Sequence, residues 1–215
     1  MQVMAQSVSR WTLVVLAMMF SVTVSADEAL RQYVDESTQK LVSKLNEEKG
    51  LYDSDPEAFY QNMEDTLDDF VDFRRIAARV MGRYARQASP EQRDAFVEKF
   101  KRSLFDSYAQ ALVQSQDFQI EIKEAQINPS NDERASVLME VITAEGNRYP
   151  VTYSMYRKEG QDWMMENVIV EGINIGLAFR DRFSQEMEQN RGDVQAVIDS
   201  WTGAVEQLEN EAAGS

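Results

Sequence analysis

FVDFRRIAARVMGRYARQASPEQRDAFVEKFKRSLFDSYAQAL, from Phe70 to Leu112, reads as a short basic helix, a helix-start signal and a long helix with one apolar stripe. Ser89 suits the N-cap, Pro90 the first helical position, and Gln92 completes an S-x-x-Q capping box. From there Phe96, Phe100, Leu104, Tyr108 and Leu112 recur every fourth residue, which stacks them on one face. Upstream, Phe73 to Arg86 predicts a helix interrupted near Gly82. Asp72 is its cap, and Phe70 and Phe73 bury its start. Arg75, Arg79, Arg83 and Arg86 share a face of that helix, with Arg74 beside it.

Working outward, Asp27 to about Lys49 predicts an amphipathic helix with Leu30, Val34, Leu41 and Leu45 on one face and Gly50 as its stop. Asp55-Pro56 starts another, carrying Phe59, Met63, Leu67 and Phe70. Beyond Gln114 the period changes to two. Phe118, Ile120 and Ile122 alternate with polar residues; Val137, Met139 and Val141 form a second strand; Val151, Tyr153 and Met155 a third; Trp163 to Val170 a fourth. Short turn-forming segments, Asn128 to Asp132, Glu145-Gly146-Asn147 and Glu159-Gly160-Gln161, join them. Val170-Glu171-Gly172 reads as a sharp structural exit from the sheet, with Glu171 accepting backbone hydrogen bonds. Two helices close the chain, about Ile175 to Gln189 and Val194 to Glu209. The expected class is α+β: a four-stranded antiparallel meander with helices packed on one face, the layers enclosing an apolar cavity.

The N-terminus reads as a leader. Arg10 precedes an apolar run from Trp11 to Phe20, and Val24-Ser25-Ala26 offers a cleavage site before Asp27. The expected organisation is a signal peptide over 1–26 and a single domain over 27–215. The chain has no cysteine and no histidine, which closes disulfide frameworks, thiol chemistry, Ser-His-Asp catalysis and most zinc sites. A net charge of −15 argues against nucleic acid as a partner and against non-specific adhesion to anionic membranes. Glu64, Asp65, Asp68 and Asp69 lack the loop spacing of a calcium site and read as a solvated helix face.

The chain resembles the MlaC family, soluble periplasmic phospholipid carriers of the Mla pathway. The resemblance rests on Val71-Asp72-Phe73, Ile76-Ala77, Val80-Met81-Gly82, Tyr84, Ala88 to Gln92, Phe96, Phe100 and Tyr108, then on Trp163, Val170-Glu171-Gly172, Arg180 and Phe183. Ala85 departs from the aromatic that many relatives carry beside Tyr84. Ile173 to Phe179 departs from the polar run common after Gly172, so the rim near the closing helices is expected to differ.

By themselves the apolar stripe and alternating strands describe a dry core. The resemblance implies a deep cavity that takes the acyl tails of a phospholipid, with the headgroup near the rim. Its helical lining would be Ile76, Val80, Phe96, Phe100, Leu104 and Tyr108. Its strand lining would be Val137, Met139, Val141, Val151, Tyr153 and Met155. Arg75, Arg79, Arg83 and Arg180 are the candidates for contact with a phosphate headgroup or an acidic partner surface. Such a carrier needs no cofactor and no metal. The resemblance implies partners in an outer-membrane lipoprotein complex and an inner-membrane ABC transporter, and a role in outer-membrane lipid asymmetry. The competing readings are an isomerase or dehydratase on a similar scaffold, with Tyr153, Tyr108 or a buried acid moving the proton, and an envelope adaptor that binds only protein.

Overall fold

The computed structural model describes residues 25–114 and 118–201, the side chains of 108–112 and 114 excepted. The expected leader and the last helix beyond Trp201 lie outside the described residues. Helix α1 spans Ala26–Glu48, and the Ser25 side chain accepts a hydrogen bond from the Glu28 N–H at 3.1 Å. Gly50 is not a plain stop: the chain makes one further turn, α2 (Leu51–Ser54), before α3 (Pro56–Asp68), which Asp55 caps. Helix α4 (Phe73–Met81) starts on the Asp72 carboxylate, which accepts from the Arg75 N–H at 2.8 Å. It ends at Gly82 and tightens into a 3-10 turn, Gly82–Arg86. Helix α5 (Pro90–Gln114) begins with the reciprocal capping box, Gln92 N–H to Ser89 Oγ and Ser89 N–H to Gln92 Oε1. Helix α6 covers Ile175–Gln189, and α7 is helical over 194–201.

The sheet is an antiparallel meander in the order β1 (Gln119–Asn128), β2 (Asn131–Ile142), β3 (Arg148–Tyr156), β4 (Met164–Val170), β5 (Ile173–Asn174). It has five strands rather than the four expected; β5 is two residues long, too short to leave an alternation signal. Glu171 and Gly172 both take positive φ in the turn before it. The Glu171 N–H donates to the Pro150 carbonyl, and among the described residues its side chain accepts no backbone hydrogen bond. Register shifts occur in β1 between Ile122 and Glu124, and at Glu166 in β4. Each bulge moves the apolar phase by one residue, so that Ile122 is followed by Ala125 and Ile127, and Met165 by Val168 and Val170.

Three apolar clusters form the interior. The first joins α4, α5, α6 and α7 through Val80, Phe96, Phe100, Phe179, Phe183 and Trp201. The second joins α1 to the sheet through Leu30, Val34, Phe70, Val137, Met139 and Trp163. The third joins the end of α1 to α3 through Leu45, Phe59 and Met63. Phe73 and Ile76 pack against both the first and the second cluster, which makes the start of α4 the seam between the helical layer and the sheet. That start is fixed to the sheet by main chain: Val71 bridges Met165 in parallel, with the Asp72 N–H donating to the Met165 carbonyl at 3.0 Å.

Candidate functional site

Cross-strand register assembles one apolar face across the sheet. Ile122, Met139, Val151 and Val170 lie in one row; Ala125, Val137, Tyr153 and Val168 in the next; Ile127, Ala135, Met155 and Met165 in a third. Leu30, Val34, Phe70 and Trp163 cover its centre, where Val137, Met139 and Met155 are fully buried. Around that centre the wall is only half-buried, at Ile120, Ala125, Val141, Tyr153, Val168 and Val170. The Tyr153 ring meets Phe70 edge-on at 5.9 Å between centroids. Burial pushes the Tyr153 phenol up from its ordinary range, and among the described residues its hydroxyl has no hydrogen-bond partner. Tyr33, by contrast, donates to the Trp163 carbonyl at 2.7 Å.

The long helix does not lay its whole stripe on this wall. Phe96 and Phe100 turn into the helical cluster, where Phe96 meets Phe183 and Trp201 at 5.0 and 5.1 Å. Val80 is buried with them, and Leu104 packs at that cluster's margin. The structure therefore brings Val137, Met139, Val141, Val151, Tyr153 and Met155 together on one wall, and Val80, Phe96, Phe100 and Leu104 in the neighbouring cluster, with Ile76 touching both. The Tyr108 side chain lies outside the described ones.

The four candidate arginines have different surroundings. Arg75 turns to the sheet, its Nε bonded to Glu166 Oε2 at 2.5 Å and its guanidinium stacked 4.0 Å from the Tyr156 ring centroid. Arg79 reaches the same carboxylate at 3.0 Å, and Arg134 of β2 completes the set. Glu166 is 5% exposed. The phenol of Tyr156 donates to the Asp72 carboxylate, tying the α4 cap to β3. Arg83 instead lies over the ring of Tyr84 and donates to its hydroxyl at 2.6 Å. Arg180 lines a cleft of about 490 Å³ with Ile76, Arg79, Gly82, Leu177 and the Glu166–Asn167 bulge.

Sequence reading missed Glu166. Its signal was a lone acid among the apolar residues of Trp163 to Val170, at the position where the alternation slips. The acids of α3 and its cap do form a largely solvated face, with Asp65, Asp68 and Asp69 exposed, but Glu64 and Asp68 also hold the 8%-exposed Lys101 of α5 at 2.5 and 3.0 Å. Burial alone would lower the Lys101 pKa, but the hydrogen bonds that its ammonium donates to both carboxylates outweigh it and raise the value. Asp69 pairs with Lys40 of α1.

A half-covered apolar sheet face, joined to a helical layer at the start of α4, defines an α+β domain with apolar surface between its layers. A family model described as MlaC protein matches residues 35–203. The chain is 37% identical over 210 residues to the toluene tolerance protein ttg2D of Pseudomonas putida, covering 97% of this chain and 96% of that one. It is 22% identical over 166 residues to the intermembrane phospholipid transport system binding protein MlaC of Haemophilus influenzae, 76% and 77% of the two chains. Its fold is that of a phospholipid-binding protein from Ralstonia solanacearum solved with a phospholipid, at a TM-score of 0.69 and 20% identity, over 86% of this chain and 99% of that one. The chain belongs to the MlaC family.

Proposed function

We propose that this protein is a periplasmic phospholipid carrier. It shields the acyl tails against the sheet wall and passes the lipid between an outer-membrane lipoprotein complex and an inner-membrane ABC transporter, maintaining outer-membrane lipid asymmetry. The observation that carries this reading is the continuous apolar face of β1 to β4, half-covered at its margin and adjoining the Phe73–Ile76 seam. Residues 1–26 are then a cleaved leader, and 27–215 the working domain. The relatives whose names specify binding and transport of phospholipid support the same reading.

Transport of this kind is solvation without chemistry. Each methylene removed from water gains about 0.8 kcal/mol, so enclosing tails of roughly two dozen methylenes gains on the order of 20 kcal/mol gross. The membrane offers nearly the same gain, so the exchange is close to neutral and its direction falls to the partners. Release requires the helical layer to part from the sheet at the seam. An enzyme reading finds less support: the carboxylate oxygens of Glu166 are committed to guanidinium donors.

The test is to purify the chain from a bacterial envelope, extract it with organic solvent and analyse the extract by mass spectrometry. Phospholipid in stoichiometric amount is expected. Val151→Glu, which puts a charge on the wall, should abolish retention while circular dichroism still reports a folded protein. An empty protein that takes up no lipid, or a folded Val151→Glu that retains it, sinks the reading.

A further inference from the structure

Resting on the carrier reading, we propose that Tyr153 selects acyl-ester lipids: its phenol donates to an ester carbonyl and so fixes the depth at which the glycerol end of the lipid lies on the wall. Tyr153 occupies the middle of β3 on the apolar face, between Val137 of β2 and Val168 of β4 in register. Val151 and Met155 stand before and after it on the same face. Val137 and Met155 are fully buried, whereas Tyr153, Val168 and Val170 are half-buried. The ring therefore stands where the covered centre of the wall passes into its β4 margin.

A wall that only packed against itself would have no use for a hydroxyl here, since phenylalanine would meet Phe70 with the same ring. Two other tyrosines packed on the sheet spend theirs within the fold. Tyr33 donates to the Trp163 carbonyl at 2.7 Å, and Tyr156 donates to Asp72. Tyr153 has no such acceptor among the described residues, and its four neighbours on the face are apolar. A lipid lying along the wall excludes the water that otherwise serves the phenol, so the lipid itself must supply the acceptor. Chain methylenes accept nothing. A phosphate would bring its charge to a place where burial alone raises the Tyr153 pKa and no charged side chain contributes. The ester carbonyls, neutral and joined directly to the tails, are the acceptors that remain.

The test loads delipidated mature protein from a detergent solution holding equal amounts of diacyl phosphatidylglycerol and its dialkyl ether counterpart, with chains of matched length. Mass spectrometry then counts the two lipids bound. The unmodified protein should take up the ester lipid in about tenfold excess, and Tyr153→Phe should take up the two alike. The infrared ester-carbonyl stretch of the loaded protein should also lie lower than in loaded Tyr153→Phe, the mark of an accepted hydrogen bond. Uptake of both lipids without preference by the unmodified protein overturns the contact and leaves the carrier standing. So does a preference, or a carbonyl frequency, that folded Tyr153→Phe leaves unchanged. An unmodified protein that takes up neither lipid overturns the carrier, and the contact with it.

Discussion

At the scale of single residues, Glu166 holds the most consequential position. A bulge aims one buried carboxylate at guanidinium groups from two elements, so the helical layer meets the sheet through charge as well as through Phe73 and Ile76. Removing one partner from such a set leaves the others repelling in a poorly solvated place. Glu166→Gln should therefore cost about 3 kcal/mol, the low end for a buried pair because the arginines keep part of their hydration. Urea unfolding would register this as a midpoint lower by about 1–2 M. If the midpoint does not move, the cluster is ornament and α4 is held by apolar contact alone. Lys101 works similarly between α3 and α5, with Glu64 and Asp68 as its anions and the ring of Phe73 at 5.6 Å.

Among the elements, α4 depends most on a single backbone position. Gly82 has φ +53° and ψ −124°, a region in which an L side chain is strained, and there the α-helix gives way to the 3-10 turn. Gly82→Ala should destabilise by about 1–3 kcal/mol from backbone strain, since its new methyl meets Arg180 only at ordinary contact distance. Gly50→Ala is the matched control. Gly50 sits at φ −67° with open space around it, so the same substitution should be neutral or slightly stabilising. Thermal melts of the two variants side by side check this, and equal shifts would refute it. At the opposite sheet edge, α1 protects β1: Asp27 accepts from the Ile127 N–H, and Arg31 donates to the Ile122 carbonyl. These contacts occupy main-chain groups that an edge strand otherwise offers to other chains.

For the whole molecule, the division into a helical cluster and a sheet cluster matters more than any one contact. Under the proposed function, a lipid held between the two clusters stabilises the folded arrangement by mass action. Delipidated protein should therefore unfold at lower urea concentration than protein as purified. Adding back phospholipid at about 100 times its Kd should restore roughly 2.7 kcal/mol. Equal midpoints for the stripped and reloaded forms would mean that no lipid bridges the two clusters.

Local signals determined where three of the helices start. Asp72, the Ser89–Gln92 box and Asp55-Pro56 act within one turn, so α3, α4 and α5 start where those residues stand. Alternation likewise fixed which strand residues share the apolar wall, because the pleat has period two wherever no bulge intervenes. The tertiary structure decided the rest. The stripe of α5 reads as one surface in sequence, yet Phe96 and Phe100 face other helices, because periodicity says that a face is buried but not against what. Only folding brings Arg75, Arg79 and Arg134 to Glu166, from positions up to 91 residues apart in the chain. Long-range charge pairing has no period to read, so its partners emerge only when the chain has closed on itself.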